Sequence, residues 1–254
     1  MSNMLSTPVS RRQTLATLGA GATGIAIAAP AAAETVAAAN SAKSPAGTLL
    51  DSIANNLLKL SPESATGLGI DTGDRAAMRA RLGDRSAAGQ AAVANTLKAD
   101  VARIRAFKTD GLDYATRTSL AVVDSAYSVA IDGFALPYGD VAVGGWRNTP
   151  YVVIQNVGAY LDVPKFLDSD HPVKNAADAE AYLSRLNAFP GVLDGETERL
   201  KAAGGLGLIA PAFLIDKAVK QLEATVADAK AGGSMVESLV RRTGEAKIDR
   251  KSVV

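Results

Sequence analysis

Leu97, Val101, Ile104 and Phe107 recur at intervals of four, three and three residues, with Lys98, Asp100, Arg103 and Arg105 falling elsewhere. A helix gathers such a series on one buried face; a strand would scatter it over both. This predicts an amphipathic helix ending before Gly111. Asp113 is placed to cap the next helix, where Leu120, Val123, Tyr127 and Ile131 form the buried stripe. Upstream, Ile53, Leu57 and Leu60 follow Leu49 at the same spacing. Ser61-Pro62 then restarts the chain, because Ser caps helices and Pro is tolerated at their first position. The expected fold class is mainly α.

Between Gly133 and Pro150 the period lapses. Glycines and two prolines surround Val141, Val143 and Trp146, which predicts extended or irregular chain. Helical signals return with Val152–Leu161. Asn175 and Asp178 stand at the start of a further helix, ahead of Tyr182, Leu183 and Leu186, and Pro190 is expected to kink or divide it. Pro211 opens another, carrying Ile215, Val219, Leu222 and Val226 and stopped by Gly232-Gly233. Ser234-Met-Val-Glu237 reads as a capping box for a last short helix toward Arg242. No unit of repeat-protein length recurs, which argues against a solenoid.

The N-terminus carries an address. Ser10-Arg11-Arg12-Gln13-Thr14-Leu15 resembles a twin-arginine export signal, followed by an uncharged, Ala- and Gly-rich run to Ala33. Too few large apolar residues stand there for a spanning helix, and Ala31-Ala32-Ala33 before Glu34 is a small-residue cleavage pattern. A removable signal over residues 1–33 is therefore expected, with the twin-arginine export machinery as partner and a periplasmic or extracellular destination; an uncleaved anchor is the alternative. Residues 34–46 read as an Ala-rich linker. Without cysteine, the chain can form neither a disulfide nor a thiolate metal site. Removing Met1–Ala33 leaves 25 basic against 26 acidic residues. That balance, without a basic stripe or a cationic amphipathic face, argues against nucleic acid and against a stable membrane association.

From Tyr151 to Leu222 a string of motifs follows in order. Gln155 precedes Gly158-Ala159-Tyr160, then come Pro164-Lys165-Phe166-Leu167 and His171-Pro172, Ala181-Tyr182-Leu183-Ser184-Arg185-Leu186, and Pro211-Ala212-Phe213-Leu214 before Gln221-Leu222. This string resembles the middle of the bacterial "domain of unknown function 885" family, whose complete members look like zinc-dependent peptidases. The resemblance implies residues 47–248 as a truncated helical domain, the N-terminal part of a larger zincin-like helical enzyme. It further implies peptide substrates and zinc for a full-length member. Asp249-Arg250-Lys251-Ser252-Val253-Val254 matches a translated sequencing adapter and is expected to be an artefact, a polar tail being the alternative.

The chemistry open to these residues is narrow. A zinc hydrolase gathers imidazole and carboxylate ligands, often as His-Glu-x-x-His on a helix. This chain has one histidine, His171, and no such helix, so no catalytic, metal or cofactor residues are assigned within it. Asp168, Asp170 and His171 could approach an ion, but a Ser-Asp-His-Pro turn is the simpler account of them. No Gly-x-Ser-x-Gly elbow presents a nucleophilic serine. Glu196 and Glu198 point to different sides of a helix and are expected in solvent with Arg199 and Lys201. Arg185 interrupts an apolar face and is a candidate for an ion pair or for a substrate carboxylate. Trp146 and Arg147, with His171 and Arg185, complete the cleft candidates. Two functions remain: the N-terminal portion of an exported metallopeptidase-like hydrolase, inactive alone, or a non-catalytic helical binding or assembly module of the cell envelope.

Overall fold

The computed structural model describes residues 44–143 and 148–249. The calls on Arg11, Arg12, Ala33 and Glu34, and those on Trp146 and Arg147, lie outside the described residues. Helix α1 spans Pro45–Leu60, α2 Pro62–Gly67, a 3-10 helix Gly73–Ala80, α3 Ala87–Ala106, α4 Tyr114–Phe134, α5 Ala159–Ser169, α6 Ala176–Gly205, α7 Ala212–Ala231 and α8 Ser234–Glu245. The fold is mainly α. Among the described residues the only β pairing is two isolated antiparallel bridges, Asp140 with Thr149 and Ile154 with Val157.

Two cores organise these helices. Leu97, Val101 and Ile104 of α3 meet Leu49 and Ile53 of α1 and Leu120, Tyr127 and Ala130 of α4. In the second core Ala159, Val163 and Leu167 of α5 pack against Ala179, Tyr182, Phe189 and Val192 of α6 and Leu239 of α8. Burying such stripes drives helix formation more than propensity does. Side chains then close the helix starts: Ser44 Oγ accepts from Gly47 N, Ser86 Oγ from Gly89 N, Asp113 Oδ1 from Thr116 N and Asn175 Oδ1 from Asp178 N. Because Ser44 caps α1, the helix begins at Pro45, inside the span expected as linker, and Ala46 is buried.

The structure corrects several local expectations. The expected helix over Val152–Leu161 begins only at Ala159; before it the chain closes a tight turn through Ile154 and Val157, and Gly158 adopts a φ of 135°. Pro190 divides nothing, since α6 runs through it for 30 residues. Its ring lies on the exposed side, where the Leu186 carbonyl that loses a donor can turn to water, while Phe189 and Val192 hold the buried side. The capping box does not form. Gly233, at φ 81°, is the N-cap of α8, and Ser234 instead donates its N–H and hydroxyl to Asp228 Oδ2 at the end of α7. Asp100, expected off the buried face, is buried and accepts from Asn56 Nδ2 and Arg103.

Candidate functional site

Polar chemistry or a concavity is found at several places, three of them most developed. The first surrounds Arg185 and His171, both fully buried. Arg185 Nε donates to the Arg81 carbonyl at 2.8 Å, Nη2 to the Met78 carbonyl at 3.1 Å and to Thr66 Oγ1 at 2.8 Å, and Nη1 to His171 Nδ1 at 2.8 Å. A guanidinium offers no acceptor, so Nδ1 must present its lone pair and the ring proton sits on Nε2, which donates to the Asp178 carbonyl at 2.9 Å. Thr66, having accepted from Arg185, donates to Asp71 Oδ2 at 2.8 Å. Arg79 links the two buried carboxylates, reaching Asp71 at 2.7 Å and Asp178 at 2.5 Å. Arg79, Arg185, Asp71 and Asp178 thus surround a neutral imidazole, and a third arginine, Arg242, donates to the His171 carbonyl.

Burial sets the titration here. It pushes His171 down to about 4, with the bond to the Asp178 carbonyl opposing, and it lowers Arg185 to about 10. Asp71 lies below the usual carboxylate range because Arg79 hydrogen-bonds it. Arg185 therefore touches no carboxylate directly, and the expected ion pair is replaced by carbonyls, a hydroxyl and an imidazole. The guanidinium also lies 4.7 Å from the centre of the Phe166 ring. Neither His171 nor Arg185 faces solvent, so the structure removes both from any cleft. The dehydrated cation ties together elements far apart in the chain.

The second place is a cleft of about 560 Å³ between α1, α2 and α5, lined by Glu63, Asp84, Arg85, Asp140, Asp162 and Phe166 among others. Arg85 spans Asp162 Oδ2 and Glu196 Oε1, each at 3.0 Å. The other oxygen of Glu196 accepts from Ala159 N at 2.8 Å, so a carboxylate from α6 satisfies the first amide of α5, which has no capping side chain of its own. Glu196 is buried, and burial raises its pKa. Arg199 donates to the carbonyls of Arg85 and Gly139 and to Asp140 Oδ1, pinning the irregular segment to α6. The expectation that Glu196 and Arg199 are solvated is thus corrected: spacing along α6 shows their directions, not which neighbours arrive there. A faint signal existed in Gly195, where a Cβ would come within 2.9 Å of the Ser86 backbone and which lets α6 approach the start of α3.

The third is an apolar groove of about 280 Å³ between Tyr151–Val153, the end of α6 and α7, with Leu200, Ile209, Ile215, Val219 and Leu222 on its walls. Helix α7 buries only Ala218. On the opposite flank of α7, Lys217, Lys220 and Gln221 face Gln155 and Asn156. Tyr160 Oη lies 3.0 Å from the Ile154 carbonyl and 2.8 Å from Gln221 Oε1, holding the turn against both helices.

The donor set does not fit zinc. Both ring nitrogens of His171 are engaged in the interior, and the described residues contain no group of three or more His, Cys, Asp or Glu able to hold a metal ion.

The profile of the family described as "Bacterial protein of unknown function (DUF885)" matches residues 62–252. No curated protein matches. Among solved structures, "The crystal structure of the putative lipoprotein from Colwellia psychrerythraea" is similar at a TM-score of 0.70 and 18% identity, over 82% of this chain and 35% of that one. At that identity the likeness shows the fold alone. The chain spans about a third of the length of that relative.

Proposed function

Because the chain belongs to the bacterial DUF885 family, we propose that it is the helical N-terminal portion of an exported metallopeptidase-like hydrolase, with peptides as substrates. The observation that carries this reading is the family match over residues 62–252, joined to the span of about a third of the solved relative. The residues present here do not fit zinc, so the metal chemistry falls to polypeptide beyond those described. The role of this portion is a scaffold: one core fixes α5 and α6, Glu196 ties α6 to the start of α5 and to Arg85, and Arg199 holds the irregular segment beside a cleft.

Export through the twin-arginine machinery to the periplasm or beyond, with cleavage after Ala33, is part of the same proposal. It rests on Arg11-Arg12 and Ala31-Ala32-Ala33, and no helix among the described residues is long and apolar enough to cross a membrane. Mass spectrometry of the exported protein is expected to find an N-terminus at Glu34; a leader retained through Ala33 would contradict it.

The deciding comparison sets this chain beside the polypeptide encoded by its complete locus, measuring bound zinc and peptide hydrolysis. The longer form should hold zinc and cleave, and this chain should do neither. Stoichiometric zinc and turnover in this chain, both abolished by His171→Ala, would overturn the assignment. A second reading, a non-catalytic binding or assembly module of the envelope, is favoured by the open apolar groove; it prevails if the longer form also lacks zinc and activity.

A further inference from the structure

We infer that the cleft between α1, α2 and α5 binds a peptide segment in which an arginine or lysine adjoins an aromatic residue. The choice of a peptide rests on the hydrolase reading; the preference for a cation joined to an apolar body rests on the cleft alone.

The walls are largely apolar. Leu57 and Leu60 of α1, Val93 of α3, Phe134 of α4 and Val163 and Phe166 of α5 line a concavity of about 560 Å³, and Leu68 at its edge is 68% exposed. Clefts of roughly 300–1,000 Å³ with mostly apolar walls and a few placed charges are the usual form of a ligand site. An aromatic side chain gains from such a surface; a small hydrated ion does not.

The charges line this cleft directly, and they do not balance. Glu63, Asp84, Asp140 and Asp162 belong to its walls, and Arg85 is the one cation lining it among the described residues. Arg85 is shared between Asp162 and the buried carboxylate of Glu196, while Arg199 pairs with Asp140. Five carboxylates thus meet two guanidinium groups, an excess of three. Arg185 feels Glu63 only from the interior, fully buried against the Phe166 ring, where Asp71 also offsets it.

Two of these carboxylates are open to a ligand. Glu63 Oε1 accepts from Gly83 N and Asp84 Oδ1 from Ser86 N, which leaves Glu63 Oε2 and Asp84 Oδ2 without a hydrogen bond or an ion pair among the described residues. Concave walls carrying one sign of charge concentrate ligands of the other sign. A guanidinium or ammonium beside the seated aromatic ring meets these oxygens, and an acidic side chain is repelled.

The probe is the unlabelled peptide acetyl-Gly-Phe-Arg-Phe-Arg-Gly-amide, titrated into the full chain by calorimetry. Saturable binding is expected, weakened about tenfold or more when Gln replaces Arg or Ser replaces Phe, and falling as salt rises. Glu63→Gln combined with Asp84→Asn keeps the acceptor oxygens for Gly83 and Ser86 and removes two charges, so affinity should fall about tenfold and lose much of its salt dependence. Leu68→Lys, at an exposed position of the edge, should weaken binding likewise with the circular dichroism unchanged. Asp216→Asn, exposed on α7 and outside the cleft, should bind as the parent chain does; an equal loss there would show unspecific attraction and overturn the inference. No saturation at millimolar peptide, binding unaffected by both cleft variants, or equal affinity for arginine amide alone also overturns it. The two readings fail separately. Zinc and turnover in the longer form without peptide binding here removes this inference alone, whereas binding here without turnover there removes the hydrolase reading alone.

Discussion

Arg185 shows what a single buried cation demands of its surroundings. Its guanidinium uses the carbonyls of Arg81 and Met78, the Thr66 hydroxyl and the His171 imidazole, and removing it strands all four. Arg185→Ala is expected to cost about 3–5 kcal/mol in urea unfolding, because each orphaned group keeps its desolvation penalty. Arg185→Lys should recover little, since an ammonium cannot reproduce the planar fork. His171 adds a pH dependence with a definite sign. Its folded pKa, about 4, lies below the ordinary 6.5, so the unfolded chain binds the proton more readily. This contribution to stability is complete above pH 6.5, declines as pH falls toward about 4, and is flat below, a loss of about 3 kcal/mol in all. His171→Gln can still accept from Arg185 and donate to Asp178. Denaturation midpoints from pH 7 to pH 4 should therefore fall less steeply in that variant, and an unchanged slope would assign the proton to another group.

At the scale of elements, helix starts were legible where the capping residue precedes its own helix, as with Asp113 and Asn175. They were illegible where the cap comes from elsewhere. The start of α5 is satisfied by Glu196, 37 residues away, and no local pattern announces it. Glu196→Ala should lower stability by about 2–4 kcal/mol and raise amide exchange through the first turn of α5, whereas Glu196→Gln, which keeps an acceptor for Ala159, should cost less. The burial of Arg185 was hinted at by its place in an apolar stripe, but apart from His171 its hydrogen-bond partners come from α2 and the 3-10 helix region, over 100 residues earlier. Helix α6 supplies a paired test of close approach. Gly195→Ala forces a methyl against the Ser86 backbone and should destabilise by about 1–3 kcal/mol, while Gly191→Ala, in open space, should stabilise by about 0.5–1 kcal/mol. Thermal melts that moved both variants the same way would refute the contact.

Over the whole described molecule, stability is unevenly shared. Helices α3 and α4 bury opposed stripes in one core, whereas α7 rests on Ala218 and a few bonds at its seat. Hydrogen exchange should accordingly release the α7 amides well before those of α3, and equal protection would show that α7 is covered in solution. The same imbalance explains the limits of the sequence: a periodic stripe at Ile215, Val219, Leu222 and Val226 reveals a helix with an apolar face, but not whether anything lies against it. The Arg185 network also bears on the order of events during folding. Thr66 and Arg185 are separated by 119 residues and Arg81 and Arg185 by 104, so these bonds close long loops in the polar interior. A charge that needs every partner in place gains nothing from partial assembly, which puts its dehydration after the folding barrier. Arg185→Ala should then accelerate unfolding while leaving the refolding rate nearly unchanged, making this arginine the latch on the finished structure rather than part of its nucleus.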